Sequence, residues 1–442
     1  MKTVRFLLAL ALALAAFGAF SRSAAAQGVF SYTSGFQVQN LEGDTANISV
    51  KFYDRTTGDL VTTVPTTVPA NGSKTFFPLS DVSDGFNGSV VIESDNQVAA
   101  ISNVHGNNFA ANASYVAASS GNTTVSIPLL MKNNSGFNTW FNVQNTGGSD
   151  ASVDVAYSDG TSVNDVVVKP GAAKTFDQAT ETHSLAVFSA EVTSTQPVAI
   201  TVIEESSLLL FAYNGFQGGS TNPVLPLINA NNAGFTTGVQ IQNAGGTATN
   251  VTVSYTPSDG TACEETQSIP AGGSKTFALA AFDNGANSDC VAGAKFVGSA
   301  QVTTNSASQP LVAVANQHKL GTNGEAYGGF DSANATDTVV LPLIMDRNSG
   351  YWTGFSVMNV GGSSTAVNCT FTGTSYTAGA TLAAGEAFTD LQNGAIASGY
   401  VGSATCTATG VDAKIVAIVN ELGPSGTADQ LLVYEGINVT AP

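Results

Sequence analysis

The sequence predicts an all-β fold: four tandem immunoglobulin-like β-sandwich domains after a cleaved signal peptide. Three observations predict it. Short stretches alternate apolar and polar residues, Gly, Asn, Ser and Thr turns separate them, and one pattern recurs four times at intervals of about 100 residues, the size of one such sandwich. No long helical period interrupts the pattern.

The recurring unit opens with a strand that ends in a polar turn: GFQVQNLEGDTA (35–46), TWFNVQNTGGSDA (139–151), TGVQIQNAGGTA (237–248) and TGFSVMNVGGSSTA (353–366). Its shared asparagines are Asn40, Asn145, Asn243 and Asn359. An alternating strand follows, as in 153–157 and 251–255, and then Asp159-Gly160 or Asp259-Gly260, residues that tolerate the positive φ of a tight hairpin. A Pro-led turn into another strand comes next at 69–76, 170–176 and 270–277. The unit closes on a strand containing Gly-Ser (Gly88, Gly298, Gly402) or Phe188-Ser189, then an apolar strand. These landmarks divide the chain into repeats at 27–121, 122–219, 220–334 and 335–442, and the tandem order suggests a rod.

The phrase VQNTGGSDASVDVAYSDG with the later VKPGAAKTF resembles the bacterial immunoglobulin-like domains described as cell-adhesion-related, the CARDB-like repeats. The resemblance covers roughly half of each repeat and implies the sandwich fold together with a surface or adhesive setting.

Residues 1–26 read as the signal peptide. Lys2 and Arg5 precede an uncharged apolar run over 6–20, and Ala24-Ala25-Ala26 meets the small-residue rule for cleavage before Gln27. The run is too short to span a bilayer comfortably and no second one follows, so we expect a secreted or cell-surface protein without membrane insertion. The formal charge is −18, and the leader contains Lys2, Arg5 and Arg22 but no acid, so its removal leaves the chain more negative. Such a surface excludes nucleic acid and anionic lipid as partners, both of which need clustered Lys and Arg.

Four cysteines in an oxidising compartment suggest two disulfides. Aligning the fourth repeat on the second sets Cys369 at Val155 and Cys406 at Val192, both inward positions, which predicts a Cys369–Cys406 bridge across the core. Cys263 and Cys290 then pair in the third repeat.

Chemistry is sparse. The histidines His105, His183 and His318 do not recur at one position in all four repeats, and no nucleophile elbow, zinc helix or phosphate-binding loop is present. We expect no enzyme, no cofactor and no assigned metal. The nearest approach to a calcium loop is Asp283, Asn287 and Asp289, toward which the bridge would bring Glu264 and Glu265. Its spacing departs from a full calcium loop, and its residues are ordinary turn formers.

Parity points to partner contacts. Phe141 and Val143 belong to the inward set, so Trp140 should face outward, and Trp352 shares that parity beside Tyr351. Outward aromatics suit a glycan or protein interface, and also a contact between domains or under a loop.

A leading apolar strand containing proline precedes three repeats, at 125–130, 224–228 and 340–344. The first repeat lacks it. Either its open edge accepts a strand from a neighbouring copy and builds a filament, or residues 28–32 fill the place. The expected function is therefore structural or adhesive. Its partner is a protein or glycan at the cell surface, or other copies of the chain.

Overall fold

A computed structural model describes residues 29–278, 288–306, 308–319, 321–424 and 429–439. Among the described residues strands dominate, neighbouring strands pair antiparallel, and the single helical element is one 3₁₀ turn at Ser332–Asn334.

Each repeat folds as two packed sheets. In the third, the outer sheet runs Cys263–Ile269, Thr249–Asp259, Phe296–Thr304, Pro223–Ala230, Phe330–Asp331, and the inner sheet Ser274–Phe277, Phe235–Asn243, Leu311–Lys319, Asn323–Gly328. The fourth repeat has the same order. In the second, one long strand, Val187–Glu205, passes through both sheets. Alternation explains the layers. Val153, Val155 and Tyr157 are buried on the core side, whereas Ser152, Asp154 and Ala156 point away from it.

The shared asparagine has a structural reason. Asn243 is fully buried, its Nδ2 donates to the Thr247 and Ile269 carbonyls (2.7 and 3.2 Å), and its Oδ1 accepts from Gly245 N–H (3.0 Å). Asn40, Asn145 and Asn359 make the same set. Each amide thus pins a turn to the neighbouring strand.

The leading strands Asn122–Met131, Pro223–Ala230 and Thr338–Asp346 each carry a bulge at their Pro-Leu step. A bulge frees one residue's main chain, and a tyrosine of the repeat's closing strand satisfies it. Tyr213 hydrogen-bonds both N–H and C=O of Leu129, Tyr327 those of Leu227, and Tyr434 those of Leu343.

The repeats do not form the rod that tandem order suggested. Their closing strands, Ala111–Val116, Leu210–Asn214, Asn323–Gly328 and Leu431–Glu435, touch in a cycle, first to second, second to third, third to fourth and fourth back to first. The chain is a closed ring of four sandwiches around this axis. Three joints share hydrophobic cores: Val314 and Ala326 of repeat three join the core of repeat two, Ile418 and Val433 join that of repeat three, and Ile101 joins that of repeat four. A second set of joints uses the recurring Ser. Ser89 donates to the Gly171 carbonyl, Ser189 to Gly272 (2.9 Å) and Ser299 to Gly385 (2.5 Å), each in the next repeat's Gly-containing turn.

Repeat one has a three-stranded outer sheet, Leu60–Val68, Ala46–Asp54 and Gly88–Ser94. Residues 29–32 do not complete it. Phe30 and Tyr32 pack near the axis with Trp140, Ile203 and Leu210, and Tyr32 starts an inner-sheet strand. Gly28 lies outside the described residues.

Candidate functional site

The axis is the most chemically loaded part of the molecule. A closing strand ends its inner sheet, so one row of its main-chain N–H groups has no strand partner. Buried carboxylates meet those groups across the joints. Glu325 accepts from Ser114 N–H and Ala212 N–H (both 2.7 Å) and from Ala326 N–H (2.9 Å), linking the closing strands of repeats one, two and three. Asp429 accepts from Gly324 N–H (3.1 Å), and its own N–H donates to the Ala110 carbonyl (2.9 Å), which ties repeat four to three and one. Glu435 accepts from Gly328 N–H (2.6 Å), and Glu204 from Asn316 Nδ2 (2.6 Å).

Burial raises the affinity of these acids for protons. Desolvation pushes Glu204, Glu421 and Asp429 up to about 8, against the hydrogen bonds that Glu204 and Asp429 accept. Glu325 is pushed well up by burial, while its three backbone donors pull the other way. One oxygen each of Glu204, Glu421 and Asp429 is buried without a hydrogen-bond partner among the described residues, so nothing at that atom offsets the cost of burying a charge. The axis therefore works as a set of buried acids and N–H caps that hold four sandwiches together. Sequence reading missed it, although one signal was there: Glu204, Glu205 and Glu421 sit in apolar strands with no nearby cation.

Trp140 does lie opposite the Phe141 and Val143 face, yet it is not a free contact surface. It is 8% exposed, packs edge-on against Tyr32 (5.6 Å between ring centres) and donates to Glu205 Oε2 (3.3 Å). Parity located the face correctly but could not reveal that the ring closes over it. Trp352 and Tyr351 are half-buried, and the Tyr351 hydroxyl donates to Gln430 Oε1 (2.6 Å).

Both disulfides are present, Cys263–Cys290 and Cys369–Cys406, but the second does not cross the core: Cys369 and Cys406 are direct partners on neighbouring strands of one sheet, because the positions of Val155 and Val192 pair within a sheet rather than between sheets. The calcium reading fares differently. Asp283 and Asn287 lie outside the described residues, and Asp289 Oδ1 already accepts from Glu264 N–H (2.6 Å). The bridge does bring both glutamates to the end of that loop, where the Glu264 carbonyl accepts from Asp289 N–H (3.1 Å) and Glu265 pairs with Ser288, but the Glu265 side chain is otherwise engaged. It is buried and accepts from Tyr255 OH (2.8 Å) and Ala278 N–H (2.7 Å), while Glu264 accepts from Ser254 Oγ (2.7 Å). The neighbouring sulfurs are bonded to each other and offer no thiolate.

His105 is held by Asn112 (2.7 Å) and by Phe109, and burial lowers it. Burial also lowers His318. His183 has a richer setting than expected of a loop residue. Its Nδ1 lies 3.1 Å from Asp159 Oδ2, and Glu181 Oε2, which accepts from Tyr157 OH at 2.6 Å, is 3.8 Å from Nε2. A surface cavity opens beside it, lined by Tyr157, Thr161, Ser162, Val163, Glu181 and Thr182. Burial raises the Asp159 carboxyl, but hydrogen bonds from Thr161, Ser184 and His183 outweigh this and hold it at about 2. Nε2 has no hydrogen-bond partner among the described residues.

No protein-family model matches this chain, and no curated protein does. One solved structure, titled "Crystal structure of tetra-tandem repeat in extending region of large adhesion protein", is 13% identical and aligns over 93% of this chain and 96% of its own, with a TM-score of 0.10. A TM-score this low carries no argument, and the fold stands on the sheet topology alone. No helix among the described residues is long and apolar enough to cross a membrane.

Proposed function

We propose that this is a non-catalytic, extracellular structural or adhesive protein, secreted or held at the cell surface, with a protein or glycan partner and no cofactor. The carrying observation is Glu325, whose carboxylate joins the closing strands of three repeats and is itself fully buried. The other recurring residues are spent in the same way. The asparagine pins turns, the serine links adjacent repeats and the tyrosine holds the leading strand, so the repeated sequence is accounted for by architecture. A framework maintained at this density supports a role as a scaffold whose outer faces make the contacts.

The burial of Trp140 removes it from a glycan-binding face and leaves Trp352 with Tyr351 for that second reading. The test combines labelled-antibody electron microscopy of the source cells with cell-binding and glycan-array assays on the purified protein. The reading predicts label outside the cell and saturable binding to cells or to an extracellular polymer. Exclusively intracellular label, or turnover of a substrate that depends on His183 and Asp159, would overturn it.

A further inference from the structure

Three repeats carry a leading strand and a tyrosine that holds it. Repeat one keeps the tyrosine, Tyr115, on its closing strand, but no leading strand pairs with its outer-sheet edge Gly88–Ser94 among the described residues. Tyr115 instead rests against the Phe30–Trp140 cluster and hydrogen-bonds Ser102. The core residues beneath the edge show the difference. Ala190 and Val192 in repeat two, and Ala300 and Val302 in repeat three, are fully buried under leading strands, whereas their counterparts Val90 and Ile92 are half-buried.

Among the described residues nothing fills this place, and the sequence before repeat one does not match the leading-strand pattern. The clasped leucines Leu129, Leu227 and Leu343 each stand sixteen residues before the shared asparagine, and the same count back from Asn40 reaches Ala24. Ser23-Ala24-Ala25-Ala26 has no proline-leucine step, and the expected cleavage before Gln27 removes it. A second copy is no better a source, because its three leading strands are clasped in its own ring.

We propose that the edge at Gly88–Ser94 accepts an extended segment of a different polypeptide, inserted antiparallel as the missing leading strand, with a proline-leucine step at Tyr115. The segment is apolar on the side facing Val90 and Ile92. Its other side is polar, because the position that meets a leading strand elsewhere as Ile101, Val314 and Ile418 is Thr201 in repeat two. Asn122–Met131 has this character itself, with Val125 and Ile127 inward and Thr124 and Ser126 outward. This inference does not depend on a cell-surface setting. Peptide binding without cell binding would uphold it and sink the adhesive reading, and the converse would do the opposite.

The probe is a synthetic peptide of residues 122–132, titrated into the intact mature protein by fluorescence anisotropy and followed by hydrogen–deuterium exchange. We expect one peptide per chain, slowed exchange confined to residues 88–94 and their neighbours, and loss of binding when the peptide carries Ile127→Asp. Tyr115→Phe, which keeps the ring and its packing, should weaken binding about fivefold to tenfold, in proportion to one or two lost hydrogen bonds. No binding, protection elsewhere, or an affinity indifferent to both changes would overturn the proposal. So would concentration-dependent dimers of the protein alone that protect residues 88–94, since the occupant would then be a second copy.

Discussion

The Tyr434 hydroxyl donates to the Leu343 carbonyl at 2.6 Å and accepts from the Leu343 N–H at 3.0 Å, so one side chain closes both main-chain groups that the Pro342-Leu343 bulge leaves unpaired. Removing that hydroxyl strands a buried donor and a buried acceptor at once. Tyr434→Phe should cost about 2–4 kcal/mol, against about 1 kcal/mol for Tyr115→Phe in the protein alone, where only the bond to Ser102 is lost. Denaturant midpoints of the two variants check this contrast.

Acidity should stabilise the ring. Glu204, Glu421 and Asp429 have folded values of about 8, above the ordinary carboxyl range, so the folded chain keeps protons that the unfolded chain has released. Their contribution is fully present below the ordinary range and is lost as pH rises toward and through about 8. The melting temperature should therefore fall between pH 5 and 9, and Glu204→Gln with Glu421→Gln should flatten the slope. Asp159, held at about 2, works oppositely, and its contribution is lost only as pH falls toward 2. A melting temperature that rose across pH 5 to 9 would contradict the assignment.

The Cys369–Cys406 bridge stands where repeat two has Val155 facing Val192. Closing a loop of this length contributes roughly 4 kcal/mol in the chain-entropy model. The double change to Ala should lose that and leave a cavity, whereas the double change to Val refills the space. Thermal melts should place the Val pair above the Ala pair by about 1–3 kcal/mol.

The sequence carried the sandwiches far better than their assembly. Alternation at 153–157 and 251–255 reports which side of a strand is buried, and the Asn-x-Gly-Gly turns of repeats two to four report where strands end, because both are local properties. Trp140 shows the limit. Its parity was readable, but what covers it is Phe30 and Tyr32, more than one hundred positions away in sequence. The acids of the axis were hidden for the same reason: Glu325 is an isolated glutamate in NGEAYG until two other strands present their N–H groups to it. Ring closure depends on such contacts between repeats, and neither strand period nor repeat length encodes them.

Small-angle X-ray scattering of the monomeric mature protein tests the ring most directly. Four sandwiches closed around one axis should give a radius of gyration of roughly 22–26 Å, near that of one compact body of this length. Four domains in line would give roughly 40 Å, which would contradict the closed ring and with it the structural role assigned to Glu325.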